Sequence, residues 1–381
     1  MKREPTSKTL KPGQLGAWVA TFLLIVLGGM TQKSLAWELR SIAGREYVLL
    51  SEAATFYDLG SQTSPDANTR KFIGQGRELV VTKNSRVVTI NGVSHWLAFP
   101  IVEEGGAFLL SRLDLGKTIE PAFRPQLLPD IKPVRTVVID PGHGGKDNGA
   151  QSPYESEKNF ALDVARRVRD ELKKSGLRVL LTRNSDTFVE LQDRAAVANR
   201  IPDSIFVSIH FNAADWNRSA TGFEIFCVTP RGAPSTAYEE LRVRDMIAEN
   251  GNEHDLHSFA LANAIFHSMH GRLTMFDRGV KRSRFAVLRL TTVPSVLIEG
   301  GFLTNPDDAR KVASKQWRQD YASSIARGIL EYTKLASNGL PPRQMADYRK
   351  GADPTASLVI APSPTPAPEV MLRELPATST N

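Results

Sequence analysis

The sequence TVVIDPGHGGKDNGA occupies residues 136–150 and joins a strand pattern to a candidate site. Its apolar, β-branched run ends at Asp140 and passes directly into proline and glycine, which is typical of a buried strand that feeds a tight loop. Ligands bind at the carboxyl ends of strands in open α/β sheets. His143 lies in that loop and is a candidate metal ligand; the alternative is a glycine-rich turn with an incidental histidine.

The bulk composition indicates a globular protein of about two domains with tails. The chain has 381 residues, of which 41% are hydrophobic and 23% are charged, and its net charge is +7. A positive charge is compatible with an anionic partner such as nucleic acid, a membrane surface or a wall polymer. The basic residues form no dense run and no nucleic-acid motif occurs, so we expect no nucleic-acid partner. The single cysteine, Cys227, excludes an intrachain disulfide.

Residues 1–36 have the pattern of an export signal. A basic start is followed by the apolar run LGAWVATFLLIVLGG, and Ser34 and Ala36 are the small residues of a cleavage site. The alternative is an uncleaved anchor, because residues 12–32 are long enough to attach the chain to a membrane. Both interpretations predict an exported protein of the periplasm or cell envelope.

Residues 37–128 predict a small α+β module. Short alternating runs are separated by turn signals, Asn91-Gly92 between two such runs predicts a hairpin, and residues 51–58 predict a short helix. The GREYVLL opening, the VVTINGV hairpin and the FPIVEEGGAFLL close resemble the amino-terminal module of copper amine oxidases. His95 has no ligand-spaced companion, so we expect a structural role for it.

Residues 134–335 alternate between strand and helix patterns, and residues 336–381 predict a disordered, proline-rich tail. Near-continuous apolar strands between amphipathic helices predict an α/β fold whose mostly parallel sheet is covered on both faces. The predicted strands are TVVID, 178–183, 205–210, 223–228, 285–289 and 295–301. The predicted helices are 158–174, 191–200, 258–272 and a closing stretch at 307–333.

Polar residues stand at one predicted edge of this sheet. His143 follows the first strand, Glu157 begins the first helix, and His210 ends the strand IFVSIH. Two histidines and one carboxylate with an open position form the ligand set of a catalytic zinc site. The alternatives are that Glu157 caps its helix, with a capping box available at Ser152 and Glu155, and that His210 bonds only to backbone.

A carboxylate at the end of an apolar strand is the fourth feature. Glu299 precedes two glycines, and a buried glutamate is unfavourable unless it is paired or functional. Its functional interpretation is a general base.

The order of motifs closely resembles zinc-dependent N-acetylmuramoyl-L-alanine amidases of the amidase 3 family. The blocks are VVIDPGHGG, an EK pair that begins a helix, LTR followed by DRAAVAN, FVSIHFNA, TGFEIF, DRGVKRSRFAVLR and VPSVLIEGGFLTNP. The resemblance implies a twisted, mostly parallel sheet flanked by helices. It implies zinc ligands at His143, Glu157 and His210, and a catalytic acid/base at Glu299. The implied reaction is hydrolysis of the amide between N-acetylmuramic acid and L-alanine in peptidoglycan; the alternative is a catalytically silent peptidoglycan-binding protein.

Several weaker candidates remain. Asn212, Lys281, Arg284 and Arg289 lie near the implied site and are candidate substrate contacts; solvated surface charge is the alternative for the cations. Residues 231–255 are a candidate lid or inhibitory element. Many family members have Thr or Ser where this chain has Gly300. The remaining histidines in the catalytic region are expected on the surface or in packing: His254, His257, His267 and His270.

Overall fold

The computed structural model describes residues 37–337. The predicted export signal at 1–36 and the predicted tail from residue 338 onward lie outside the described residues. Among residues 37–337, no helix has both the length and the apolar character needed to cross a bilayer.

The amino-terminal module contains short strands and short helices. Its hairpin is built as predicted, because Asn91 and Gly92 both have positive φ, 50° and 82°. The predicted helix at 51–58 is present as α1, Leu50–Phe56. The strands are β1 Leu39–Ile42, β2 Arg45–Leu49, β3 Ser61–Thr63, β4 Thr69–Gly74, β5 Arg77–Thr82, β6 Val87–Ile90, β7 Val93–Trp96, β8 Val102–Glu104 and β9 Ala107–Ser111. The helices are α1 Leu50–Phe56, α2 Arg112–Asp114 and α3 Glu120–Phe123, with a π-helical turn at Leu115–Ile119 and a 3-10 turn at Pro125–Leu127.

The predicted catalytic region, residues 134–335, alternates strands and helices. Its strands are β10 Thr136–Pro141, β11 Arg178–Leu181, β12 Ser204–Asn212, β13 Phe223–Val228, β14 Asp277–Ser283 and β15 Ser295–Phe302. Its helices are α4 Glu157–Lys174, α5 Leu191–Asn199, α6 Asp255–Met269, α7 Ala286–Arg289, α8 Pro306–Ala313 and α9 Lys315–Ser337, with 3-10 turns at Val243–Met246 and Asn250–His254.

The sheet of this region is mostly parallel and is flanked by helices, as predicted. Its strand order is β11-β10-β12-β15-β13-β14, and within it only β13 and β15 pair antiparallel. Alternate strand residues enter two cores, because side chains along a strand point to opposite faces. One core contains Ile139 with residues of α4, α6 and α9. The other contains Val138 with residues of α5 and α7.

Two sequence predictions in this region are wrong. Residues 285–289 were predicted as a strand, but residues 286–289 form α7, since a short apolar run does not distinguish a strand from a buried helix. β14 was missed, because its sequence DRGVKRS is polar. Lys281 and Arg282 are nevertheless buried on this strand, where acids, carbonyl groups and aromatic rings surround their charges.

The module and the catalytic region share one sheet. β14 pairs in parallel with β7, and the sheet continues through β6, β5, β4 and β3. A separate antiparallel sheet of the module has the order β1-β2-β9-β8. The sequence predicted a small α+β module, but it did not predict this connection.

Candidate metal centre

The loop after β10 has the bend that its glycines predicted. His143 itself has a positive φ of 58°, and Gly144, Gly145 and Gly149 also have positive φ. Such conformations are uncommon outside glycine, so the surrounding structure must hold His143 in place.

Two buried arginines hold this loop. Arg194 donates to Asp140 Oδ1 at 2.9 Å, to the Pro141 carbonyl at 2.7 Å and to the His143 carbonyl at 2.7 Å. Arg183 donates to the Pro141 carbonyl at 3.0 Å and to the Gly142 carbonyl at 2.6 Å. Carbonyl groups that no strand partner satisfies therefore bind guanidinium groups, which fix the path of the chain into His143. Neither arginine was recognised from the sequence, although both stand in the motif blocks LTR and DRAAVAN.

The three predicted donors converge. Donor atoms of His143, Glu157 and His210 all lie within 4.8 Å of one another, and no other group of this kind occurs among residues 37–337. His143 Nε2 is 3.0 Å from Glu157 Oε2, and His210 Nδ1 is 2.9 Å from Glu157 Oε1. The other ring nitrogen of His143 lies 2.8 Å from Asp147, an orienting carboxylate that the sequence analysis missed.

Glu157, rather than Glu155, occupies the site. Glu157 is the first residue of α4, and its carboxylate accepts from the Ala150 backbone at 2.8 Å and from the Phe211 backbone at 3.0 Å. Glu155 bonds locally to the backbone of Ser156. Ser152 donates to the Glu155 carbonyl and accepts from the Glu155 N–H within its own turn, and Ser156, the residue before α4, makes no side-chain cap.

Two glycines allow the donors to approach each other. A Cβ at Gly149 would lie 2.5 Å from Glu157 Oε2, and a Cβ at Gly142 would lie 2.3 Å from His210 Cε1. Real Cβ contacts of this length do not occur, so any larger residue here would displace a donor. The glycines are therefore required by the packing of the site as well as by the turn.

The electrostatics of the donor set favour charged forms. Burial raises the pKa of Glu157, but hydrogen bonds and charge from His143 and His210 outweigh this effect and hold the pKa well below its ordinary value. Burial lowers the pKa of His143, but interactions with Glu157 and Asp147 outweigh it and raise the pKa. A carboxylate that attracts cationic partners in this way is suited to a metal cation.

Glu299 lies beside this group on the next strand. In the sheet register it pairs with His210 of β12 on one side and with Glu224 of β13 on the other. One of its oxygens is buried and has no hydrogen-bond partner. Burial, together with the charges of Glu157 and Glu224, raises its pKa well above the ordinary value. An unpartnered carboxyl with a raised pKa has the properties of a general acid or base.

Glu224 is a further buried acid that the sequence analysis missed. It accepts from Asn212 Nδ2 at 2.8 Å and from Arg278 Nε at 2.9 Å, and it also accepts from Lys281 Nζ. Burial raises its pKa, but Lys281 and Arg278 outweigh this and lower it. The available signal was an acid alternating with apolar residues in TGFEIF, the same kind of signal that identified Glu299.

The candidate substrate contacts are distributed unevenly. Asn212 lines the cavity at the donor set. Lys281 is buried against Glu224 rather than open to the cavity. Arg284 is buried and pairs with Asp245 at 2.8 Å, and Arg289 is 3.8 Å from Glu249. These two arginines therefore bind the segment 231–255, and neither lines this cavity.

The cavity at the donor set has a volume of about 610 Å³. The polar residues that line it are the donors with Asp147, Asn212 and Glu299, among others, and the apolar ones include Phe188, Leu191 and Phe285. No residue of 231–255 is among those that line it, so the described segment does not cover the donors. His254 and His257 instead line a second cavity, of about 270 Å³, at the opposite end of the strands.

A three-donor set beside an unpartnered carboxylate, in a cavity at the carboxyl edge of a parallel sheet, defines a candidate metal-dependent hydrolase. A family model described as N-acetylmuramoyl-L-alanine amidase matches residues 137–331, just over half of the 381-residue chain. The chain therefore belongs to the N-acetylmuramoyl-L-alanine amidase family. This finding confirms the enzyme class that the order of motifs implied.

Individual relatives match the same part of the chain. AmiA of Escherichia coli K12 is 33% identical over 220 residues, which cover 52% of this chain and 76% of AmiA. AmiC of Escherichia coli O6:H1 is 32% identical over 245 residues, which cover 58% of each protein, so this chain spans little more than half the length of that relative. The catalytic domain of CwlV from Bacillus (Paenibacillus) polymyxa is 32% identical, with 53% of this chain and 99% of that chain covered and a TM-score of 0.45.

Proposed function

We propose that this protein is a zinc-dependent N-acetylmuramoyl-L-alanine amidase. Its substrate would be the amide bond between the lactyl group of N-acetylmuramic acid and the L-alanine of a peptidoglycan stem peptide. The observation that carries the proposal is the convergence of His143, Glu157 and His210 within 4.8 Å beside Glu299. Membership of the amidase family supports the choice of substrate.

The residues of the site fit zinc. Two imidazole nitrogens and one carboxylate are hard-to-intermediate donors that Zn²⁺ accepts, and three protein ligands leave a position open. Asp147 on the second nitrogen of His143 is the kind of partner that orients a metal-bound histidine. When bound, zinc supplies Lewis-acid chemistry, making water acidic enough to attack near neutral pH and polarising a carbonyl group.

Glu299 carries the proton transfers of this mechanism. Its carboxylate accepts a proton from the attacking water as the new C–O bond forms at the lactyl carbonyl. It then delivers that proton to the amide nitrogen as the C–N bond breaks and the amine of L-alanine leaves. Because burial and two neighbouring acids raise its pKa, Glu299 holds the transferred proton more readily than an exposed glutamate would.

The cavity walls position the substrate. Asn212 is held by its hydrogen bond to Glu224 and presents a fixed amide at the edge of the donor set. Phe188, Leu191 and Phe285 line the same cavity and offer apolar surface to a substrate. We propose that they contact the lactyl and alanine methyl groups. Export to the periplasm or cell envelope, with residues 1–36 as signal or anchor, belongs to the same proposal.

The test is digestion of purified sacculi by the full-length protein, with mass spectrometry of the soluble products. We expect free stem peptides with an L-alanine amino terminus, about one zinc per chain, loss of activity with a chelator and recovery with zinc. Glu299→Gln is the matched control, since it should keep zinc and release no peptides. Binding to sacculi without released peptides by the zinc-loaded wild type would instead establish the catalytically silent alternative.

A further inference from the structure

We propose that Trp96, in the amino-terminal module, is a positioning residue for the catalytic site and acts through β14. The inference rests on the proposed amidase function. It assigns the module a part in catalysis, although the sequence of the module contains no recognisable catalytic motif.

The joint between the module and the catalytic region is closely packed. β7 pairs with β14 through His95 and Val280. Gly279 of β14 has a φ of +89°, and a Cβ there would lie 2.7 Å from the Ser94 carbonyl oxygen. His95 is fully buried, and its Nε2 lies 2.9 Å from Asn263 Oδ1 on α6. The module is therefore held against the catalytic region on two elements, β14 and α6.

Trp96 contacts β14 at two points. Its indole N–H donates to the Arg278 carbonyl at 3.2 Å. Lys281 Nζ lies 5.4 Å from the centroid of its ring, within the range of a cation–π interaction. Trp96 thus constrains both the backbone that carries Arg278 and the ammonium group of Lys281.

Those two cations are the charged partners of Glu224. Arg278 Nε is 2.9 Å from Glu224 Oε2, and Lys281 binds the same oxygen. Glu224 is only 5% exposed, so its carboxylate depends on these partners for compensation of its charge. A displaced Lys281 would leave a buried carboxylate partly uncompensated, and its orientation would change.

Glu224 in turn borders the proposed catalytic groups. It stands opposite Glu299 in the pairing of β13 with β15, and it binds the side-chain nitrogen of Asn212 at 2.8 Å. A continuous series of contacts therefore leads from Trp96 through Lys281 and Glu224 to Asn212. Because small misplacements of catalytic groups reduce rates strongly, loss of Trp96 should affect turnover.

The experiment is a double-mutant cycle of Trp96→Leu and Lys281→Met in the full-length, zinc-loaded protein. The values of kcat and KM on a soluble muropeptide and the unfolding free energy are measured for each variant. We expect Trp96→Leu to lower kcat by roughly 10-fold or more, and to lower it by less than about threefold when Lys281→Met is already present.

Trp37→Leu is the matched control, because Trp37 packs on Phe56 inside the module. It should leave kcat unchanged even if stability falls. A kcat for Trp96→Leu no lower than that of Trp37→Leu, or additive effects in the cycle, would overturn the inference. Should Trp96→Leu not fold, Trp96→Phe replaces it, and non-additivity with Lys281→Met is again required. A wild type without amidase activity would overturn the proposed function itself, whereas an active wild type with additive variants would overturn only the role of Trp96.

Discussion

Glu157 and Glu299 are neighbouring acids with opposite surroundings. Glu157 receives hydrogen bonds from two histidines and two backbone N–H groups. Burial raises its pKa, but the hydrogen bonds and charges of the two histidines outweigh burial and lower it. Glu299 has a buried oxygen without a partner and a raised pKa. The first environment suits a permanently charged metal ligand and the second a group that exchanges protons, so the two carboxylates are assigned different roles by their contacts.

Glu299→Gln should lower the amidase activity and raise the unfolding free energy. Activity should fall by roughly 10²- to 10⁴-fold, as for loss of a general base. The raised pKa means that the folded, metal-free protein disfavours the ionised carboxyl. That penalty is absent well below the ordinary value of 4.5 and complete above the raised pKa. With chelator present, the variant should therefore gain unfolding free energy relative to the wild type as the pH is raised, and gain almost none at pH ~4.

Urea unfolding at both pH values measures this gain. Glu331→Gln, at an exposed glutamate of α9, is the control and should change neither quantity. Equal unfolding free energies of wild type and Glu299→Gln at alkaline pH would mean that the fold does not disfavour the ionised carboxyl of Glu299.

Gly149→Ala should weaken zinc binding by about 10-fold or more, because its methyl group would lie 2.5 Å from Glu157 Oε2 and displace that proposed ligand. Gly176→Ala is the matched control: its φ is +81°, similar to the +63° of Gly149, but no atom lies within 4 Å of its Cβ. Competition with a chromophoric chelator measures both affinities. Equal zinc affinities of the two variants would contradict the steric argument.

At the scale of elements, the loop between β10 and α4 depends on side chains from elsewhere. Arg183 follows β11 and Arg194 lies on α5, and together they satisfy three consecutive carbonyl groups at 141–143. The segment 231–255 is fixed in a comparable way, by the buried pair of Arg284 and Asp245. Buried guanidinium groups thus replace regular backbone hydrogen bonds where the chain leaves helix and strand.

Arg194→Gln should lower the unfolding free energy by about 3–5 kcal/mol, the usual effect of removing one partner of a buried ion pair. It should also weaken zinc binding, since the His143 carbonyl loses its donor at 2.7 Å. Arg169→Gln provides the comparison, because the Asp170 side chain that it pairs with is 60% exposed; there we expect a change within about 0.5 kcal/mol. Chemical unfolding measures the stabilities and zinc titration the affinities. Equal values for Arg194→Gln and Arg169→Gln would contradict the prediction.

At the scale of the whole molecule, one sheet runs from the catalytic region into the module. The junction between β7 and β14 contains a buried, neutral histidine, His95. Burial lowers the pKa of this side chain from 6.5 to about 4. Both β7 and α6 contact this side chain. Protonation of His95 should therefore lower the stability of the whole fold.

We expect the unfolding free energy to fall by roughly 3 kcal/mol through His95 as pH drops from 6.5 to 4. Between these two pH values His95 binds a proton in the unfolded chain but not in the folded protein, so the unfolding free energy rises with pH. His95→Gln should show a correspondingly shallower pH dependence, measured by chemical unfolding at several pH values. A wild-type profile in His95→Gln would contradict the assignment.

Local sequence patterns were sufficient to predict the helices and strands whose buried faces are apolar throughout. The face of α4 predicted from its spacing, Ala161, Ala165, Val168 and Leu172, is fully buried. The apolar strands β10, β12 and β15 were recognised because both of their faces are covered. β14 was not recognised, because its buried cations are stabilised by Glu224 and by Trp96, which lie on other strands.

The sequence by itself contained the apolar periodicity and the glycines of the loop after β10, because these depend on residues that are neighbours in the chain. It also contained the identity of the candidate donors, through the order of its motif blocks. The order of strands in the tertiary structure decided which residues that are distant in sequence come into contact. It brought His210 and Glu299 into register, placed Glu224 beside them, directed Arg284 away from the cavity and joined the module to β14. Such contacts depend on the packing of whole strands and helices against each other, for which no local pattern of side chains is a sufficient cause.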